Sequence, residues 1–357
     1  MNSRLEKLRL KLATMELDAF IFSQPKNRSY LSSVSSSDGY LIVSQNDAVL
    51  AVDGRYSEWA SRKASPSSGI RVVLIHGEMQ KWMPDLIASM NISTLGFEDI
   101  GLTYSIYSKI VKALDSLDSK VELTPTNNII GGLRAVKDSQ ELKSLQEAAT
   151  VADSAFERMR QQMKAGMTEK EVAWLLERLL RENGSSAVPF AVIVASGPNA
   201  AFPHHSPSNR PICEGDPVII DFGARIKGYG SDITRTLCLG KPDDKFREIY
   251  SVLMKAQQQA IDKIRSGMTG KQADAIARGV IADAGYGQYF MHALGHGTGL
   301  EVHEEPRLGE NSEDLLSDGM VFTIEPGIYI PGWGGIRIED MVVLEESKAH
   351  VMTHTSK

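Results

Sequence analysis

The sequence predicts a two-domain protein of the α/β (α+β) class, on three observations. The chain has 357 residues and a mass of 39.1 kDa, which at roughly 150 residues per domain asks for about two cores. Its first part alternates short apolar runs with helix-period segments, as a sheet covered by helices requires. Its second part repeats itself with a period near 100 residues.

Composition narrows the function classes. Hydrophobic residues at 42% and charged residues at 24% are an ordinary globular mix, which excludes a disordered or collagen-like chain. Lys and Arg number 39 against 45 Asp and Glu, and the net charge of −6 gives no general attraction to nucleic acid or anionic lipid. The two cysteines, Cys213 and Cys238, are too few for a disulfide scaffold and lack zinc-site spacing, so a reducing, cytoplasmic setting is expected. The N-terminus interleaves charge with leucine, unlike a signal peptide, and no run of about 20 apolar residues occurs to span a membrane.

Leu5, Leu8, Leu12 and Met15 recur at helical spacing, and Ala19-Phe20-Ile21-Phe22 then reads as a buried strand. Strands are expected at Gly39 to Val43, Ala48 to Val52, Arg71 to Ile75 and Val121 to Leu123, with helices at Tyr56 to Ala64 and Tyr104 to Leu117. Turn chemistry without periodicity follows at Thr124-Pro125-Thr126-Asn127-Asn128 and Gly131-Gly132, which places the domain boundary there: residues 1–126 and 127–357.

In the second domain Gly166-Met167-Thr168 returns as Gly267-Met268-Thr269. Each triplet follows a helical segment (Gln146 to Met163, Arg247 to Ile264), and each opens a helix with a capping box, Thr168 with Glu171 and Thr269 with Gln272. Further on, Gly215 to Asp221 is echoed by Gly319 to Glu325, and each segment turns at a Gly-x-Gly and comes back. The two expected hairpins hold Asp221 with Asp232 and Glu325 with Glu339, each pair nearly opposite.

Asp is a poor strand former, and Asp221 stands inside Val-Ile-Ile-Asp-Phe. A lone acid in such a strand faces solvent, but four at matching hairpin positions point to convergence about a pseudo-twofold axis. Crowded carboxylates repel unless cations neutralise them. Two divalent metals would balance four acids, and oxygen donors suit manganese, cobalt or magnesium, with zinc feasible.

Between the hairpins, Met291 to His303 holds three of the eight histidines, His292, His296 and His303. Gly295, Gly297 and Gly299 break any helix there, which excludes the helical zinc motif. Glycine on both sides lets His296 approach a bound group closely; a satisfied core or tight-loop histidine is the alternative for any one of the three. His204 and His205 follow a turn-rich loop, as functional groups or as surface decoration. Arg337 shares a strand face with Glu339, as a plain ion-pair partner or as a group orienting an acidic ligand.

Five segments, Ile220-Asp221-Phe222-Gly223, Ser231-Asp232-Ile233-Thr234-Arg235-Thr236, Gly295-His296-Gly297 through His303-Glu304, Thr323-Ile324-Glu325-Pro326-Gly327 and Ile336-Arg337-Ile338-Glu339-Asp340, together resemble the metal-bearing segments of the pita-bread metallopeptidase family. That family contains methionine aminopeptidase, Xaa-Pro aminopeptidase and Xaa-Pro dipeptidase (prolidase). The resemblance covers residues 133 to 357. The first part, including Asp53-Gly54-Arg55-Tyr56, is similar to the creatinase-like N-terminal domain of the proline-specific branch.

The resemblance implies a creatinase-like N-terminal domain followed by a pseudo-twofold pita-bread catalytic domain. It implies two divalent metal ions, manganese or cobalt with zinc feasible, held by Asp221, Asp232, His296, Glu325 and Glu339, with Asp232 and Glu339 bridging. Glu325 would take the proton from water, His303 and His204 would donate to the tetrahedral oxyanion, His292 would line the pocket beyond the cleaved bond, and Arg337 would support the bridging acids. His205 matches no role, and the adjacent pair leaves open which of the two is functional. The implied reaction is metal-assisted hydrolysis of the Xaa-Pro bond in short proline-containing peptides or dipeptides, by a homodimer. Alternatives are a methionine aminopeptidase and a metal-free creatinase-like or peptide-binding protein of the same fold; the filled set of ligand positions argues against the metal-free one.

Overall fold

Leu5, Leu8 and Leu12 are fully covered along one face of α1 (Ser3–Thr14), the face that the leucine spacing defines. The computed structural model describes residues 3–64 and 69–357, and the chain divides into two compact units after Arg134. In the first unit, β1 (Ala19–Phe22), α2 (Pro25–Ser32), β2 (Tyr40–Ser44), β3 (Ala48–Val52), α3 (Ser57–Lys63), β4 (Arg71–Leu74), α4 (Met83–Ser89), β5 (Thr94–Glu98), α5 (Tyr104–Leu114) and β6 (Glu122–Thr126) follow α1. The six strands form one mixed sheet in the order β4-β3-β2-β1-β5-β6. Its central strands β1 and β3 are buried throughout, as their unbroken apolar runs require.

The expected turn at Thr124–Thr126 is strand instead. β6 runs parallel to β5 with Pro125 beside Phe97, at the sheet's edge, where a residue lacking an N–H is tolerated. The short helix α6 (Gly131–Ala135) follows, so residues 127–134 go with the first unit.

The second unit repeats a motif of two helices and a hairpin. Helices α7 (Ser139–Gln162) and α8 (Glu169–Glu182) precede β7 (Ile193–Ser196), β8 (Pro217–Phe222), β9 (Arg225–Ile226), β10 (Tyr229–Gly230) and β11 (Ile233–Cys238). Helices α9 (Asp244–Lys263) and α10 (Gly270–Asp283) precede β12 (Gly295–Gly297), β13 (Glu304–Leu308), β14 (Val321–Ile324), β15 (Gly327–Ile330), β16 (Gly334–Arg337), β17 (Asp340–Glu345) and β18 (Lys348–Val351). Both expected capping boxes form, each with its reciprocal pair of bonds. The repeat extends to the backbone: Gly166 and Gly267 take φ of 89° and 87°, and Gly215 and Gly319 take 84° and 86°, all left-handed values that favour glycine.

Each half buries its own core. Phe156 of α7 stacks on Phe222 of β8 at 5.2 Å, with Leu176, Val194, Val218 and Ile233 around them. Ile249, Leu253, Phe322, Ile324 and Val342 do the same in the second half. Burial of each such side chain contributes about 1.5–3 kcal/mol, and it holds the two hairpins against their helices. No helix among the described residues is long and apolar enough to cross a membrane.

Two glycines of α10 should respond oppositely to a methyl group. A Cβ at Gly270 would fall on the carbonyl oxygen of Arg307 and lie 2.7 Å from Ser312 Oγ, whereas one at Gly279 meets nothing within 4 Å. Gly270→Ala is expected to destabilise the protein by about 1–3 kcal/mol and Gly279→Ala to stabilise it by about 0.5–1 kcal/mol. Denaturant unfolding of the two variants checks the signs.

Candidate metal centre

The acids gather where the two hairpins interrupt their ladders. β8 and β11 are antiparallel with Asp221 opposite Thr234 and Phe222 opposite Ile233. Asp232 directly precedes β11, so it sits diagonally from Asp221 on the same face rather than straight across. In the second hairpin Ile324 faces Asp340 and Gly327 faces Arg337, which sets Glu325 directly opposite Glu339 in the gap between the two ladders. β12 lies beside β14, with Gly297 opposite Phe322, and carries His296 to the same point.

Ligand atoms of Asp232, His296 and Glu339 lie within 4.8 Å of one another. His296 Nε2 is 3.2 Å from Glu325 Oε1 and 3.7 Å from Asp232 Oδ2. Asp221 belongs to the cluster through charge: its carboxylate acts on both Asp232 and Glu339. Asp232, His296, Glu325 and Glu339 thus meet directly, and Asp221 faces them through its charge.

The electrostatics are those of crowded carboxylates out of water. Burial, then repulsion from Glu339 and Asp221, pushes Asp232 well above the usual carboxylate range. Burial and the charges of Glu325 and Asp221 do the same to Glu339. Asp221 is also raised by burial, against the pull of Arg337. Glu325 goes the other way: burial alone would raise it, but the His296 hydrogen bond and charge hold it at about 2. His296 is the counterpart, lifted against its own burial to about 9 by Glu325 and Glu339.

The residues present fit a bound cation. Asp221 Oδ1 and Glu339 Oε1 are buried without a hydrogen-bond partner among the described residues, whereas buried polar atoms are satisfied as a rule. An acceptor-only oxygen in a ring of acids lacks a positive partner, and four carboxylates with one imidazole suit a divalent metal. His296 Nδ1 lies 3.1 Å from the carbonyl of Gly297; donating its proton there leaves Nε2 aimed at the acids.

A second layer of bonds orients this set. Thr234 donates its hydroxyl proton to Glu339 Oε2 at 2.6 Å and accepts from Arg337 Nε at 3.1 Å. Arg337 also donates to Asp221 Oδ2 at 2.7 Å and to the Tyr329 hydroxyl at 2.9 Å. Its direct acidic partner is thus Asp221, and it reaches Glu339 only through Thr234. Tyr329, pushed up to about 12 by burial, passes its proton toward His292 Nε2 at 2.9 Å. His292 Nδ1 is engaged by the carbonyl of Ala293, and α10 holds this segment: Arg278 donates to the carbonyls of Phe290 and His292, and Asp274 accepts from the backbone of Leu294.

The remaining histidines divide. His303 sets its ring 4.2 Å from that of His296, tilted by 56°, and burial with the His296 charge lowers its pKa. His204 is exposed, yet close enough for its charge to lower both His292 and His303. His205 points away, its Nε2 bonded to Glu169 at 2.9 Å. Sequence reasoning missed Thr234, Tyr329 and Glu169. A threonine or tyrosine in a strand reads as ordinary β-former, and Glu169 reads as a favourable charge in a helix's first turn.

Comparison with known proteins gives the family. The model of metallopeptidase family M24 matches residues 143–346, and that of the creatinase/prolidase N-terminal domain matches residues 4–136. The chain is 38% identical over 358 residues to the Xaa-Pro dipeptidase of Pyrococcus furiosus, across 100% of this chain and 99% of that one. Among solved structures, an Xaa-Pro dipeptidase from Bacillus anthracis matches with a TM-score of 0.95 at 39% identity, over 99% of this chain and 98% of that one. An X-Pro aminopeptidase from Thermotoga maritima matches with a TM-score of 0.88 at 34% identity, over 97% and 98% of the two chains. The chain therefore carries a creatinase-like domain followed in sequence by a pita-bread domain, and it belongs to metallopeptidase family M24, in the form that carries a creatinase/prolidase N-terminal domain.

Proposed function

We propose that the chain is an Xaa-Pro dipeptidase that works with two divalent metal ions, manganese or cobalt, held by Asp221, Asp232, His296, Glu325 and Glu339. The observation that carries the reading is the meeting of Asp232, His296, Glu325 and Glu339, with Asp221 acting on them by charge and two buried carboxylate oxygens unpartnered. The preference for a proline bond is supported by relatives named Xaa-Pro dipeptidase that match along the whole chain. When bound, such ions make hydroxide available from water at neutral pH and polarise a carbonyl.

The chain's own residues supply the rest. Asp232 and Glu339, the two acids whose charges are most unfavourable without a cation, would gain most from the ions when bound. Glu325 accepts the proton of the attacking water and passes it to the leaving nitrogen. His303, its pKa lowered, is a neutral donor for the developing oxyanion, with His204 as a second. His292 has both ring nitrogens engaged by Ala293 and Tyr329, so it presents a ring surface to the proline side of the bond rather than a hydrogen bond.

Metal loading should expel protons. In the metal-free protein His296 holds its proton up to about pH 9, and Asp232 and Glu339 are raised as well. Ligation requires these groups deprotonated, so apparent affinity for manganese should climb as pH rises toward that value. Titration calorimetry in buffers of different ionisation enthalpy should report release of about one proton or more per chain; binding without proton exchange contradicts the assigned ligands.

Activity is tested on Ala-Pro, an Ala-Pro-Xaa tripeptide and Met-Ala-Ser, with manganese, with cobalt and with chelator. Hydrolysis of Ala-Pro alone, lost with chelator, is expected. Cleavage of the tripeptide after its first residue makes the enzyme an Xaa-Pro aminopeptidase, and release of Met makes it a methionine aminopeptidase. Glu325→Gln should lower turnover on the order of 10³-fold. His303→Ala should lower kcat by about 10²- to 10³-fold with little change in KM, and an unchanged kcat removes it from the oxyanion role.

A further inference from the structure

Glu169, the first residue of α8, is completely buried, yet it has no part in the acid cluster. Its two carboxylate oxygens collect six donors from one loop. Oε1 accepts from the backbone N–H of Ser196 at 2.7 Å, the Ser196 hydroxyl at 2.8 Å and Asn199 Nδ2 at 3.0 Å. Oε2 accepts from His205 Nε2 at 2.9 Å, the backbone N–H of Ser208 at 2.9 Å and the Ser208 hydroxyl at 2.6 Å. Burial alone would raise this carboxyl, but the donors hold it at about 2. It is therefore an acceptor only, and His205 Nε2 must carry a proton.

The internal repeat shows what this acid is not needed for. Residues 166–170 at the start of α8 and 267–271 at the start of α10 make the same four backbone bonds to the segment that crosses them. In the first half these are Gly166 N to Ile212 O, Ile212 N to Met167 O, Glu169 N to Arg210 O and Lys170 N to Ser208 O. In the second they are Gly267 N to Leu316 O, Leu316 N to Met268 O, Gly270 N to Asp314 O and Lys271 N to Ser312 O. The position of Glu169 is held by Gly270 in the second half, and the joint forms without a side chain. There the carbonyl of Arg307, in β13, occupies the space where a Cβ would stand. No strand follows β7 in the corresponding stretch of the first half; a loop that opens with a short 3-10 turn (Gly197–Ala201) runs from Ser196 to Ser208, and the carboxylate gathers it.

That loop carries His204. One neighbour, Pro203, has its carbonyl bonded by Arg337 Nη1 at 3.3 Å, and the other, His205, is bonded by Glu169. His204, between them, is exposed and acts by charge on His292 and His303.

We propose that Glu169 is a positioning residue: it orders the loop from Ser196 to Ser208 and so presents His204 to the substrate, with His205 serving this anchor and not the peptide. The assignment rests on the peptidase reading above and names a residue outside the metal centre. Glu169→Gln keeps the shape but turns an acceptor pair into an amide that must aim one N–H₂ at donors already in place. Loosening of a positioned group is expected to lower kcat/KM for Ala-Pro by about 10- to 100-fold.

The test is a double-mutant cycle on the manganese-loaded enzyme with Glu169→Gln, His204→Ala and the pair. The expected result is that Glu169→Gln costs kcat/KM alone but almost nothing further in the His204→Ala background, with manganese content unchanged. Additive losses, or full activity of Glu169→Gln, overturn the proposal. Should Glu169→Gln not fold, Ser208→Ala removes a single donor and takes its place in the same cycle with the same two readings. Amide hydrogen exchange supplies an arm independent of turnover: protection of residues 196–208 should fall while that of β8 and β14 stays, and unchanged loop protection sinks the idea. A wild-type protein that hydrolyses none of the peptides refutes the proposed function, whereas a failed cycle in an active enzyme refutes only the role of Glu169.

Discussion

Four carboxylates within one buried pocket are the constraint on which the second unit is organised. Each acid in isolation would take a proton or turn to solvent, and together they repel. The chain answers with positive charge at fixed places. Arg337 is bonded to Asp221, and the charge on His296 holds Glu325 ionised. Thr234 and Tyr329 extend these contacts so that each guanidinium nitrogen of Arg337 donates to a defined acceptor. The compensation is incomplete, as the two unpartnered oxygens of Asp221 and Glu339 record. A hairpin is well suited to hold this tension, because cross-strand geometry fixes the separation of the acids while the flanking apolar strands supply the stabilisation.

Much of this was legible from residue patterns. Leu5, Leu8 and Leu12 mark the buried face of α1, and the paired Gly-Met-Thr triplets locate two helix starts and a repeat that the matched φ angles of Gly166 and Gly267 bear out. Asp221 was conspicuous because an acid inside an apolar strand needs a reason. What could not be read were the groups whose role depends on tertiary neighbours. Tyr329 in β15 looks like any strand aromatic until Arg337 and His292 flank its hydroxyl. Glu169 looks like a first-turn acid until the loop closes over it. The adjacent pair His204 and His205 is symmetrical in sequence, and only the hydrogen bond to Glu169 separates them. Thr124-Pro125-Thr126 misled because proline reads as a turn when the edge of the sheet is unknown.

The halves of the second unit share a backbone plan but divide the chemistry unequally. The register of β7 on β8 and of β12 on β14 places Ala195 where the other half has His296. Glu169 has only Gly270 as its counterpart, and the strand β13 has only a loop. A free-standing half would contribute two of the four carboxylates and could complete such a pocket only by meeting a copy of itself. In that arrangement any change would appear twice, on both sides of the pocket. Joining the copies in one chain lifts that restriction: an imidazole can be introduced on one side alone, and a histidine-bearing loop kept on the other, which is the asymmetry a reaction with distinct entering and leaving groups demands.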